Sequence, residues 1–482
     1  MSGTFAPGDT TLQKSAFKEL LVTQPTPVIA QGFPYNLNTD ALILRKNGSG
    51  TSVQANSLAV VSTAAIAGSF SQLISRKAIK YIHGQGILCR FAGLFSAPAA
   101  NSTIYAGIGN INDGFFFGYQ GTTFGIYRRS AGSSEVRTLT VTTKSSTAES
   151  VTVTLDGVAK LCPVTNGADT TVTANEIAAV DFAEVGGGWA AKAVGSTVIF
   201  RSYRYGSLAG AYSVAGTTIV GAFAQSVVGA TPSEAFVARS GWNRDKADGT
   251  GVLPNLTLTF GQVFQVRYQW LGFGGIEFYM ERPKTLEPVL VHAIEFADTS
   301  VVPSLSNPTL PFSMEATNTS NATIVGVSVS SFGIFHEGPN ELEGIDRGAI
   351  AIKTGITTET PVLTVRNKSI YASKINRVSL RLKRLMLSTD GTKNVVFRLY
   401  RDATLVAASF VDVSTNTSPS SYDVSASAIS GGTVLPGIGM AKIDTQIFDL
   451  DYVLYPDEQI TVTASSPLTV DVVVSAGWEE LF

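Results

Sequence analysis

Residues 106–129 read AGIGNINDGFFFGYQGTTFGIYRR, with six glycines, three consecutive phenylalanines and one acidic residue. A ligand-cradling loop and a tight meander of strands both fit that composition, and the spacing separates them. Tyr105 to Gly109, Phe115 to Tyr119 and Phe124 to Arg128 alternate as strands do, while NINDG and QGTT between them carry turn chemistry. Closing QGTT as a hairpin sets Tyr119 opposite Phe124, Gly118 opposite Gly125 and Phe117 opposite Ile126. One face then carries Phe115, Phe117, Tyr119, Phe124 and Ile126, the pattern of a sandwich core. The other carries Phe116, Tyr127 and the glycine pair, a bare patch between rings. Such a dent admits a foreign backbone or a sugar ring, or is filled by bulky neighbours of the same fold; the second is the plainer reading. If the filler comes from outside, a neighbouring protein chain is preferred to a sugar.

The same alternation recurs downstream. VFQVRYQW (263–270), IEFYME (276–281) and VLVHAIEF (289–296) form a second predicted meander, with Phe264, Val266, Tyr268, Trp270, Ile276, Phe278 and Met280 on the apolar side. ATIVGVSVSSFGIF (322–335) adds a long strand. Between the meanders lies a segment of different texture. RTLTVTT, ESVTVTLDGVAKLCPVT, a helix within Thr171 to Phe182, GGWAAKAVGSTVIFRS and GAYSVAGTTIVGAF predict an α+β insert over 137–228, its helix capped by Thr173 with Glu176 three residues on. From about 345 to 482, strands of six to ten residues separated by turn signals predict a C-terminal β-sandwich or jelly roll. Residues 1–57 read as an extended arm that docks on its own chain or a neighbour, with a short helix at Leu12 to Leu21 and prolines at 25, 27 and 34. The fold class expected is mainly β, with a sandwich over 58–136 plus 229–340.

At 482 residues the chain has room for about three domains of ~150 residues. Charged residues are 15%, against roughly 25% in an average soluble domain. A surface so poor in charge repels neighbours weakly and suits a protein whose faces are covered by others. The net charge of −2 supplies no global drive toward nucleic acid or anionic membrane. MSGTFAPGDTTLQKSAF has neither a basic n-region nor an apolar h-region, and no run of about 18 apolar residues occurs, so neither export by a signal peptide nor membrane insertion is expected. Cys89 and Cys162, 73 positions apart, read as buried free thiols.

Taken together, YAGIGNINDGFFFGYQGTTFGIYRR, YQWLGFGGIEFYMERPKTLEPVLVHAIEF and PSLSNPTLPFSMEATNTSN resemble the concanavalin-like (laminin-G-like) β-sandwich of structural proteins of large DNA viruses and tailed phages, over residues 58–336. The insert is similar to small α+β modules of phage tail and virion proteins. LYPDEQITVTASSPLTVDVVVSAGWEE looks like a viral jelly-roll module ending in a Trp-Glu pair. The resemblance implies a non-enzymatic virion protein of capsid, tail or fibre, with other virion proteins as partners and a homo-oligomeric state, a trimer being the form expected from its class. It carries over no catalytic, cofactor or metal residues. Host-glycan recognition and a glycosidase or depolymerase activity are the alternatives.

Concanavalin-like glycosidases place carboxylates along one strand as Glu-x-Asp-x-x-Glu; the nearest string is Glu341, Glu343 and Asp346 in HEGPNELEGIDRG, which reads as an interdomain linker. Glu277 and Glu281 share a strand face that reads as solvent-exposed. His83, His292 and His336 are unclustered, and His292, alternating with Leu290 and Ile294, reads as a hydrogen-bonded core histidine. Asn110, Asn112 and Asp113 offer oxygens to calcium without the spacing of a calcium loop, and turn formation explains them. No Gly-x-x-x-x-Gly string is followed by Lys-Ser or Lys-Thr before a helix, which excludes a P-loop. Arg377, Arg381 and Lys383 fall on one strand face, open to an acidic partner, DNA or a sulfated glycan, or simply solvated.

Overall fold

The computed structural model describes residues 25–482 except 168, 321–322, 340–342, 391–393, 436–437 and 442–444. Strands dominate. Among the described residues, helix is confined to Thr170–Ala178 and a 3-10 turn at Arg239–Gly241.

Residues up to 132 together with 231–341 form one compact unit. Its core is enclosed by two antiparallel sheets. One is seven-stranded, in the order Ser233–Ala238, Thr123–Ser130, Gly114–Gln120, Ser102–Gly109, Leu310–Asn318, Phe70–Ile79, Leu42–Asn47. The other is eight-stranded, running Pro288–Ile294, Ile276–Glu281, Gln262–Tyr268, Ile87–Phe95, Gly326–His336, Leu58–Ser62, Thr51–Ala55, with Thr26–Gly32 also paired to Gly326–His336. This is the concanavalin-like β-sandwich expected. The two predicted meanders lie in different sheets and meet through their aromatic faces: ring centroids of Phe117 and Phe264 are 4.9 Å apart, Phe117 and Phe278 5.4 Å, and Phe115 and Tyr268 5.2 Å. Aromatic pairs at such separations add about 0.5–1.5 kcal/mol each beyond their area burial.

The predicted register holds. Tyr119 pairs with Phe124, Gly118 with Gly125 and Phe117 with Ile126, around a turn in which Gly121 takes a φ of 58°. The extended arm expected over 1–57 is, in its described part, three strands of the sandwich: Thr26–Gly32, Leu42–Asn47 and Thr51–Ala55 pair with Gly326–His336, Phe70–Ile79 and Leu58–Ser62. Prolines at 27 and 34 fall at a register shift and beyond the strand end, where no ladder donor is lost. The helix expected at Leu12 to Leu21 lies outside the described residues.

The second unit joins residues 133–230 with 342–482, so the insert groups with the C-terminal module rather than with the sandwich that it interrupts. Its four-stranded sheet (Trp189–Val194, Thr197–Tyr205, Ser134–Thr143, Val220–Val227), a three-stranded sheet (Val158–Val164, Glu149–Leu155, Ser213–Ala215) and the helix enclose Val151, Ile177, Trp189 and Phe200. The helix cap differs from expectation. Asp169, not Thr173, is the N-cap, its Oδ1 accepting from the Thr171 and Val172 amides at 2.8 and 3.0 Å. A carboxylate four residues upstream satisfies two orphan amides, leaving Thr173 buried inside the helix and Glu176 free to accept from the Thr165 amide.

The C-terminal module is a second sandwich. A four-stranded sheet, Ile345–Ile356, Val470–Leu481, Ser379–Thr389 and Thr445–Leu454, and a seven-stranded one centred on Thr360–Asn367, Gln459–Ser465 and Asn394–Arg401 share a core of Leu363, Leu385, Phe397, Val462, Val474 and Trp478. TLVAASFVDV, which alternates within the six-to-ten-residue range of the predicted strands, is broken into Thr404–Val406 and Val411–Asp412. The last residues of the chain are mostly core: Trp478 and Leu481 are buried, while Phe482 is exposed.

Candidate functional site

The outer face of the aromatic meander is closed from within. A β-carbon on Gly118 would stand 2.0 Å from the Ile104 carbonyl oxygen and 2.8 Å from Tyr105 Cβ; one on Gly125 would stand 2.3 Å from the Val237 oxygen and 2.7 Å from the Phe236 ring. Gly118 is required by the backbone of Ile104 and Tyr105 in the next strand, and Gly125 by the Val237 carbonyl and the Phe236 ring. Tyr105 stacks against Phe116 at 4.6 Å, and Phe236 against Tyr127 at 4.7 Å. Tyr105, Phe116 and Tyr127 form a small buried cluster of their own. The dent that invited a sugar or a foreign chain is occupied by side chains of the same fold.

Beside these rings lies a polar network that sequence reasoning missed. Glu315 Oε2 accepts from the Tyr105 hydroxyl at 2.6 Å and from Gln72 Nε2 at 2.7 Å, and Arg129 Nη1 donates to the Tyr105 hydroxyl at 2.9 Å. Arg129 also pairs with Glu234 at 2.7 Å and lies over the Tyr105 ring at 4.9 Å. Burial raises the Glu315 carboxyl above its usual range, against the pull of Arg129 and of the Tyr105 and Thr317 hydroxyls. Burial raises the Tyr105 phenol well beyond its usual range. For Arg129, burial opposes the charge, but Tyr105, Glu315 and Glu234 outweigh it and hold the guanidinium protonated. A network of this kind rigidifies a sheet face, its carboxylate, phenol and guanidinium engaged with one another. The signal was available: Arg129 follows Tyr127 at strand spacing, and Glu315 is the single charge in PSLSNPTLPFSMEATNTSN.

The carboxylate candidates are not brought together as a catalytic pair. Glu341 lies outside the described residues, and Glu343 and Asp346 are exposed, Asp346 in a strand opposite Glu479. The two units divide after Glu341, within HEGPNELEGIDRG. Glu277, expected on a solvent face, is instead buried and accepts from the Tyr279 hydroxyl at 2.6 Å; Glu281 is half-buried. The expectation failed because Arg267 beside Glu277 binds the buried Glu337, giving that sheet face a packed polar layer.

His292 is the core histidine expected: it is buried, its Nδ1 accepts from the Asn243 amide at 3.2 Å, and burial lowers its pKa. His336 is buried with Nε2 2.8 Å from the Lys80 carbonyl, and burial lowers its pKa as well; His83 is exposed against Tyr81. Asn110 and Asp113 serve turn closure. Asn110 Oδ1 accepts from the amides of Asn112 and Asp113 at 2.8 and 3.1 Å, and Asp113 Oδ1 from Ala131, from the Ser306 amide and from the Ser306 hydroxyl. Among the described residues no cluster of three His, Cys, Asp or Glu side chains has metal-site geometry. Both cysteines are buried free thiols, Cys162 with its pKa pushed up to about 11 by burial.

The basic strand is neutralised on the sheet. Lys383 binds Glu479, which Arg381 approaches at 3.7 Å, with Asp451 3.8 Å from Arg381. Arg377 lies just before the Ser379–Thr389 strand rather than on its face.

In the second unit a crevice of about 210 Å³ opens between the helix and the C-terminal sandwich, lined by Asn175, Lys192, Asp402, Leu405 and Phe410. It is smaller than the roughly 300–1,000 Å³ of a small-molecule site. Its polar groups are already engaged: Lys192 pairs with Asp402 at 3.4 Å, and Asn175 Nδ2 donates to the Leu405 carbonyl at 3.3 Å.

No family model and no curated protein matches the chain. Among solved structures, a glycosyl hydrolase family protein from Mycobacterium fortuitum is similar at 8% identity and a TM-score of 0.30, covering 64% of this chain and 100% of that one. The metal-free form of lectin I-B4 from Griffonia simplicifolia matches at 9% identity and a TM-score of 0.22, over 64% of this chain and 99% of the lectin. A chain from the triple jelly roll fold and turret assembly of an archaeal virus matches at 8% identity and a TM-score of 0.17, over 95% of this chain and 98% of that one. The fold assignment rests on the strand order described above.

Proposed function

We propose that this chain is a non-enzymatic structural component of a virus particle, acting through protein–protein assembly contacts with other virion proteins. The observation that carries the reading is the disposition of charge. Charged residues are 15% of the chain, and the carboxylates and cations that chemistry would need are drawn into structural pairs such as Arg129 with Glu234, Arg267 with Glu337 and Lys383 with Glu479. What remains outside is poorly charged and carries large aliphatics in the open, among them Leu286 at 70% and Val301 at 96% exposure. Such a surface favours being covered over being solvated. Chained β-sandwich modules support the same reading.

The test is whether the chain enters particles. Antibody labelling of purified particles, with negative-stain imaging and native mass of the isolated chain, is expected to find it in the particle and in a defined assembly. A protein absent from particles and monomeric at every concentration overturns the proposal. A glycan array, with and without calcium, is expected to be silent; a specific signal moves the reading to host-glycan recognition.

A further inference from the structure

The four-stranded sheet of the C-terminal sandwich has an outer face that the described chain leaves open. Strand alternation sends Ala351, Val474 and Leu385 into the core and Ile350, Val473 and Met386 outward. Ile350, Ile352 and Ile447 are 60%, 69% and 61% exposed. The register makes them one patch. Ile350, Ser475, Met386 and Ile447 stand in one cross-strand row, and Ile352 pairs with Val473 in the next. The row on the other side is Gly348, Gly477, Arg384 and Asp449, in which the last two are 68% and 92% exposed and loosely paired at 4.0 Å. The strands at both ends of this sheet, Ile345–Ile356 and Thr445–Leu454, are edges.

We infer that this face is an isologous interface with a second copy of the same chain. In the charged row the large side chains, Arg384 and Asp449, sit on the two strands nearest one edge and the glycines, Gly348 and Gly477, on the two nearest the other. Turning a copy by half a turn about an axis parallel to the strands sets Thr445–Leu454 of one chain over Ile345–Ile356 of the other, and Ser379–Thr389 over Val470–Leu481. Ile447 then meets Ile350 of the copy, Met386 meets Ser475, and Arg384 and Asp449 lie over Gly477 and Gly348. Large faces small along the charged row, and apolar faces apolar at the edges. In that pose Arg384 and Asp449 of each chain keep their own pairing and lie over glycines of the copy, where no side chain blocks the approach. Four strands at about 4.8 Å spacing and about ten residues of about 3.3 Å each offer roughly 600 Å² a side, near the ~1,200 Å² total of the smaller stable interfaces. The inference takes from the proposed function only the expectation that the chain assembles; the surface is argued from register and exposure.

Cysteine trapping tests it on the full chain, whose native thiols at Cys89 and Cys162 are buried. Mixing Ile350→Cys chains with Ile447→Cys chains under mild oxidation is expected to give a mixed covalent dimer, several-fold more than either variant gives alone, because the half-turn opposes 350 to 447 and neither to itself. Sedimentation of the unmodified chain is expected to show a monomer–dimer equilibrium, and Ile447→Asp to raise its Kd at least about tenfold. Gly477→Leu, whose β-carbon has no neighbour nearer than 3.8 Å, is expected to fold and to weaken the dimer in the same way. A wild-type chain that remains monomeric at its highest soluble concentration overturns the inference, as does crosslinking no greater in the mixture than in the single variants. Loss of particle incorporation by Ile447→Asp from a monomeric wild type also overturns it and hands the face to another virion protein. A dimer trapped as described in a chain that never enters particles leaves the inference standing and removes the proposed function.

Discussion

The Gly114–Gln120 strand of the first sandwich and the Ile345–Ile356 strand of the second present apolar side chains to both faces of their sheets, yet they end in opposite states. In GFFFGYQ every residue but the last is buried: Phe115 and Phe117 in the main core, Phe116 under its own cluster with Tyr105 and Tyr127. In IDRGAIAIKTGI the inward Ala351 is buried while Ile350 and Ile352 stand in the open. Apolar character on both faces therefore says that both are meant to be covered, without saying by what. Where neighbouring strands supply rings, as Tyr105 and Phe236 do, the fold finishes the second face itself. Where the neighbouring strand supplies Ser475, Gly477 and Val473, the face stays open.

The sharpest way to break this comparison is to substitute glycines on the two faces. Gly118→Val drives a β-carbon into the Ile104 carbonyl, which backbone cannot yield, and is expected to cost more than about 3 kcal/mol in denaturant unfolding or to prevent folding. Gly477→Ala, on the open face with its nearest neighbour at 3.8 Å, is expected to change unfolding stability by less than about 1 kcal/mol. Equal losses would remove the distinction between a closed and an open face.

Next in size is the polar lining of the closed face. Tyr105→Phe takes from Glu315 a donor and from Arg129 an acceptor, both buried, and is expected to lower stability by about 1–3 kcal/mol. Tyr127→Phe removes a buried hydroxyl that has no hydrogen-bond partner, and thermal unfolding is expected to move little or upward. A large loss for Tyr127→Phe together with none for Tyr105→Phe would mean that the network does not hold the face.

The smallest expected effect belongs to the insert, where the half-buried carboxylate of Glu149 closes a loop instead of a face. Glu149 is held down at about 2 by hydrogen bonds from Thr218, Ser145 and the Thr217 amide. Its folded pKa lies below the unfolded one, so its contribution is complete above about 4.5 and fades as pH falls toward about 2. Wild type and Glu149→Gln are expected to differ in thermal midpoint at pH 6 and to converge near pH 2; a gap that widens on acidification would contradict the assignment.

Much of the first sandwich was legible because its signals are local. The pairing of Gly118 with Gly125 follows from a turn of fixed length and a period of two, and neither depends on distant residues. Asn110 and Asp113 take up loop hydrogen bonds and His292 sits hydrogen-bonded in the core, as their local patterns suggest. Glu277 departs from its local pattern, because its burial depends on Arg267 in the next strand and on Glu337, 60 residues away. Thr173 carries the capping-box spacing, but that pattern is weak beside Asp169, whose carboxylate accepts from two amides of the first turn.

By itself the sequence determined the strand content, the turns, the hairpin register and the inward face of each strand, since backbone sterics and side-chain alternation act over a few residues. Only the tertiary structure decided which meander joins which sheet, that the insert groups with the C-terminal sandwich, and which outer faces are closed. Those outcomes turn on side chains such as Phe236 and Glu315, brought beside the meander from more than a hundred residues away, and no local pattern encodes such a meeting.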